Sequence, residues 1–101
     1  MLTDAFLPSS FGTVTISVTT SSATTDIPAN GDYIELQNAD ANNTVFIETC
    51  QRGLPVAALV AKSYPVRPGQ CKVIRRKLGD DAISCIGSGA ATFYVTAGVG
   101  V

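Results

Sequence analysis

Gly12-Thr-Val-Thr-Ile-Ser-Val-Thr-Thr20 decides the fold class. Val14, Ile16 and Val18 alternate with Thr13, Thr15, Ser17 and Thr19. A period of two puts the apolar side chains on one face of a strand and the hydroxyls on the other. The same alternation returns in Asp32 to Gln37, with Ile34 and Leu36 on one face, and in Thr44 to Cys50, with Val45 and Ile47. It recurs in Cys71 to Arg76, in Ala82 to Ile86, and in Ala91 to Thr96, where Phe93 and Val95 point inward. Val56-Ala-Ala-Leu-Val-Ala61 is apolar throughout and is bounded by Pro55 and Tyr64-Pro65. Its shortness favours a fully buried strand over a helical turn and a half.

Turn chemistry separates these segments. Ile27-Pro-Ala-Asn-Gly31, Asn38 to Asn43, Pro68-Gly69, Leu78 to Asp81 and Gly87-Ser-Gly89 are rich in the residues that turns require. About seven or eight short strands at roughly ten-residue spacing predict an all-β chain, a single antiparallel β-sandwich of jelly-roll or immunoglobulin-like topology. The expected organisation is an N-terminal arm over residues 1–11, a sandwich over 12–97 and a flexible tail over 98–101. The chain has 101 residues, which suits one domain. Its 46% hydrophobic content excludes intrinsic disorder.

Phe6, Leu7 and Phe11 are large apolar groups in a segment broken by Pro8 and two serines. They read either as an extended arm that docks on a neighbouring subunit or as the first edge strand of their own domain. No apolar run is long enough to cross a membrane as a helix. The opening Met1-Leu-Thr-Asp-Ala-Phe6 has neither the positive nor the apolar region of a secretory signal, so none is expected.

Charge is segregated along the chain. Residues 1–51 carry six acids and no base, and residues 52–77 carry all seven bases and no acid. Two surfaces of opposite sign would suit head-to-tail association of identical subunits. Acid and base brought together within one molecule is the other reading. Lys72, Arg75, Arg76 and Lys77 form the densest basic run, and they read as a contact surface for an acidic neighbour or as a guarded sheet edge. No aromatic lies between them to stack bases, and the chain is slightly acidic, so nucleic-acid binding is disfavoured.

Signals for chemistry are weak. Histidine is absent, which removes the commonest proton shuttle and metal ligand. Asp80-Asp81 reads as a solvated turn, and no calcium-loop spacing occurs. Cys50, Cys71 and Cys85 match no metal knuckle or redox pair. Cys71 and Cys85 fall on the apolar faces of their strands and are expected to be buried and reduced. No catalytic residues, metal or cofactor are expected, and the chain is not expected to be an enzyme.

Gly89-Ala-Ala-Thr-Phe-Tyr-Val-Thr-Ala-Gly-Val-Gly100 resembles the closing segment of small β-sandwich proteins of tailed bacteriophage virions. Pro65-Val-Arg-Pro-Gly69 and the opening Thr13 to Ala23 fit the same pattern. The resemblance implies a capsid decoration (cement) protein, or a related accessory head protein, located in the virion. It implies a homo-oligomer, a trimer by preference, bound to the major capsid protein or another virion protein. The alternatives are a head-fibre base, a head–tail joining or tail protein, and a carbohydrate-binding module using Tyr33, Tyr64 and Tyr94.

Overall fold

The computed structural model describes residues 6–28, 31–77 and 79–99, and every regular element within them is a strand. These are β1 (Leu7–Val18), β2 (Ala23–Asp26), β3 (Tyr33–Asn38), β4 (Val45–Cys50), β5 (Tyr64–Val66), β6 (Cys71–Arg75), β7 (Ala82–Gly87) and β8 (Ala91–Val99). Their pairing is nested. β1 pairs with β8, β2 with β7, β3 with β6 and β4 with β5, all antiparallel. The chain is one long hairpin whose tip is the β4–β5 connection. Side pairs β3·β8 and β4·β7 wind that hairpin into two sheets, β1-β8-β3-β6 and β2-β7-β4-β5. Nested antiparallel pairs wound into two four-stranded sheets make a jelly roll, which decides between the two expected sandwich topologies.

Register explains the core. Val14 lies opposite Val95, Ile16 opposite Phe93, Leu36 opposite Val95 and Ile34 opposite Ala97. Residues opposite one another share a face, so these apolar groups all point inward. They meet Val45, Ile47, Val66, Ile83 and Cys85 from the second sheet. Phe93 is the largest fully buried side chain. Each such large side chain contributes about 1.5–3 kcal/mol on burial.

Gly31 and Gly98 let the ends of the sandwich close. Gly31 has φ +82° and its α-carbon sits against the Gly98 carbonyl, where a side chain would collide. A β-carbon on Gly98 would lie 2.7 Å from the Phe6 ring. Only glycine fits this close approach.

Four expectations are corrected. Val56–Ala61 forms no strand. It belongs to a long β4–β5 connection that lies over the outward face of the second sheet, and four of its large apolar side chains stay exposed. Ala23–Asp26, which reads as polar loop, is strand β2, held by its ladder to β7. Gly98 and Val99 of the expected tail are strand, paired with Pro8 and Leu7, and from Leu7 onward the N-terminal segment takes the second of its two readings, an edge strand of its own domain. Residues 1–5 of the expected arm and 100–101 of that tail lie outside the described residues. Cys71 is exposed, because Lys72 and Ile74 rather than Cys71 and Val73 take the inward positions opposite Leu36 and Ile34.

Candidate functional site

β1 is interrupted by a bulge between Pro8 and Thr13. Within it Phe11 adopts a left-handed conformation, φ 55°, and its side chain is 100% exposed. Left-handed backbone is costly for a bulky residue. Leu7 is 62% exposed beside the half-exposed Val99, while Phe6 is partly buried against Gly98. The three predicted arm residues therefore divide. Phe6 anchors the segment to its own domain, and Leu7 and Phe11 face outward.

A second apolar surface is carried by the β4–β5 connection. Its underside is fixed by polar contacts. Ser22 Oγ accepts from the Ala58 N–H at 2.9 Å, and Ser63 Oγ accepts from the Leu59 N–H at 2.9 Å while donating to Glu48 Oε2 at 2.8 Å. Arg52 ties the start of the connection down. Its Nη2 donates to the Ile27 carbonyl at 2.9 Å, and its Nε stands 3.7 Å from Asp26 and 3.6 Å from Asp81. This strap explains why Cys50, Ala82 and Ser84, which have outward parity in the second sheet, are nonetheless buried. Leu54, Val56, Leu59 and Val60 remain between 51% and 66% exposed on its outer side. Sequence reasoning missed this surface because an unbroken apolar run reads as core. Ser22 and Ser63 hold the run in place at its middle, through the Ala58 and Leu59 N–H groups.

The four predicted basic residues do not form one patch. Lys72 projects from an inward position at the sheet edge. Its ammonium reaches the Pro65 carbonyl at 3.2 Å and lies 4.4 Å from the centre of the Tyr64 ring. Long cationic side chains escape an edge in this way. Arg75 is exposed on the outward face opposite Tyr33. Arg76 is buried, with its Nε donating to the Gly31 carbonyl at 3.0 Å and its backbone N–H to the Asp32 carbonyl at 2.9 Å. Lys77 stands 3.9 Å from Asp80, which is itself buried and so corrects the expectation of a solvated turn. Asp32, Arg76, Lys77, Asp80 and Asp81 line a cleft of about 260 Å³ in which both signs of charge meet. The segregation seen along the sequence is thus partly undone in space.

Among the described residues no cluster of three or more Cys, Asp or Glu side chains is placed to hold a metal ion. Asp40 accepts from the Asn42 and Asn43 N–H groups at 2.9 and 2.7 Å, which holds its carboxyl below the usual range. That network shapes the β3–β4 turn. Cys71 is pushed up from its ordinary value by partial burial and then by a hydrogen bond to Glu35 and its charge. Burial pushes the Cys85 thiol up to about 12, with Cys50 adding to the effect. A thiol with a raised pKa is a poor nucleophile at neutral pH.

No protein-family model, curated protein or solved structure matches the chain.

Proposed function

We propose that the chain is a non-enzymatic structural protein of a bacteriophage virion, a decoration or cement protein that binds the head lattice. The observation that carries this reading is the outward display of Phe11, fully exposed on a backbone that costs energy to hold. Exposed apolar groups on strained backbone are a mark of residues kept for contact with another molecule. The strap adds a second apolar surface through Leu54, Val56, Leu59 and Val60. A rigid jelly roll with two such surfaces suits a subunit that bridges neighbours, and repetition over a lattice multiplies weak contacts. The major capsid protein is the proposed partner.

The test is co-sedimentation of the purified chain with undecorated heads of its phage, together with the thermal stability of those heads. Saturable binding that raises the melting temperature of the particles is expected. It is expected to weaken for Leu7→Ser/Phe11→Ser and for Leu59→Ser/Val60→Ser. Heads that neither bind nor gain stability would refute the reading.

One observation favours a second reading, a carbohydrate-binding module. Tyr33 and Tyr94, on adjacent strands β3 and β8, are partly exposed on the same outward face. Binding to a glycan array that is lost in Tyr94→Ala would support it.

A further inference from the structure

The two sheets have four edges, and three of them are guarded. β5 has three residues, one of them Pro65. β2 has four residues and ends in Asp26. β6 carries Lys72 at an inward position and Arg75 at an outward one. Short length, proline and charge are the usual means of preventing a sheet edge from pairing with another chain.

β1 carries a proline, Pro8, and its bulge only in its first half, before Thr13. It is the longest strand, at 12 residues, and holds no charged residue. From Thr13 to Val18 it runs regularly along β8 on one side and, among the described residues, has no strand on the other. The sequence Thr13-Val-Thr-Ile-Ser-Val18 is β-branched at every position but one and contains neither proline nor charge. Such a segment has high affinity for another strand.

We propose that this edge pairs with β1 of a second copy of the chain, antiparallel and across a two-fold axis, so that the first sheet runs on through both subunits. The absence of charge argues for self-pairing in particular. At a two-fold axis the residue on the axis meets its own copy and its neighbours meet one another's, so charges of one sign close to the axis would repel across it. Outward residues must stay opposite outward ones, because a slip of one residue exchanges the faces. That condition puts the axis through a residue, and centring it on the regular Thr13–Val18 segment makes that residue Thr15 or Ile16. Either way the fully exposed Phe11 comes beside the end of the partner's β1. The inference stands apart from the virion reading, since the pair forms in the absence of any capsid. It replaces the trimer implied by resemblance with a two-fold dimer.

Sedimentation equilibrium of the purified chain tests it, with Thr15→Lys/Ser17→Lys and Thr15→Glu/Ser17→Glu as variants. Both positions are exposed on the outward face, so the fold of one subunit tolerates either charge. At either axis position the lysines face one another across the pair. The parent is expected at twice the 10.5 kDa chain mass and each variant at the single-chain mass. An equimolar mixture of the two variants is expected to recover the doubled mass. A monomeric or trimeric parent would overturn the proposal, as would a lysine variant that keeps the parent's mass. A mixture that stays monomeric would overturn it too, because the charges would then have acted through the fold and not across an interface.

Discussion

The side chain of Asn38, at the end of β3, donates to the main-chain carbonyl of Val66 in β5, 3.0 Å away, and so joins the two sheets. Its Nδ2 also donates to the Asn43 carbonyl at 2.8 Å, and its Oδ1 accepts from the Asp40 N–H at 3.0 Å. A side chain that is only 1% exposed thus has its polar atoms satisfied, and it holds the β3–β4 turn against β5. Asn38→Ala leaves two carbonyls without their donor. Leaving buried polar groups unpaired costs about 2–4 kcal/mol in total here. Urea unfolding of the variant should show that loss with an unchanged denaturant slope. A loss below about 1 kcal/mol would mean that water replaces the amide.

Cys71 should be the one thiol of the three that reacts in the native protein. It is exposed, whereas Cys50 and Cys85 are buried. Its pKa is raised, so its thiolate fraction at pH 8 is smaller than that of a free cysteine and labelling should be slow. Glu35 contributes to that shift through a hydrogen bond and through charge. Glu35→Gln should therefore speed labelling by a disulfide reagent at pH 8. Cys71→Ser should abolish the native-state reaction. Fast labelling of more than one equivalent would show that the strap over Cys50 opens easily.

Cys85 ties stability to alkaline pH. Its thiol is raised from 9.0 to about 12 in the folded chain. Between those values the folded state keeps a proton that the unfolded state has lost, so stability falls as pH rises. The contribution is fully present below pH 9 and is lost on the way to pH 12. One group changes stability by at most about 1.4 kcal/mol per pH unit. Comparing unfolding of the parent and Cys85→Ala from pH 8 to 11 isolates the slope that depends on Cys85. Parallel curves for the two proteins would rule it out.

The parts of this fold that are legible in the sequence are those where alternation meets a two-sided environment. Val14, Ile16 and Val18 can face only one way, and so can Ile34 with Leu36 and Phe93 with Val95. The rest depends on tertiary context. Cys71 to Arg76 alternates equally well in either phase. The outcome turns on Lys72, which can occupy an inward position only because an edge strand lets its ammonium out to Pro65 and Tyr64. β2 has no apolar signal, since Ala23-Thr-Thr-Asp26 is a strand only through its pairing with β7. Val56 to Ala61 misleads because Ala58 is buried while Val56, Leu59 and Val60 stay exposed. Of the candidate contact residues, Phe11 and Leu7 could be named from sequence. The strap and the bare edge of β1 required the topology.

Phe11 should show stability and association moving in opposite directions. Its φ of 55° is a conformation that costs a non-glycine residue about 1–2 kcal/mol. Its ring is fully exposed, so nothing within one subunit offsets that cost. Phe11→Gly removes the strain but gives the unfolded chain more freedom, which returns part of the gain. The net expectation is a single subunit stabilised by up to about 1 kcal/mol. Any contact that buries the ring loses about 1.5–3 kcal/mol, which weakens association roughly tenfold or more. Chemical denaturation at low protein concentration reads the first effect, and the concentration dependence of sedimentation reads the second. A variant that unfolds more easily yet associates as before would mean that the ring holds the bulge in shape within its own chain. Phe11 would then be a structural residue, and its exposure would have no bearing on assembly.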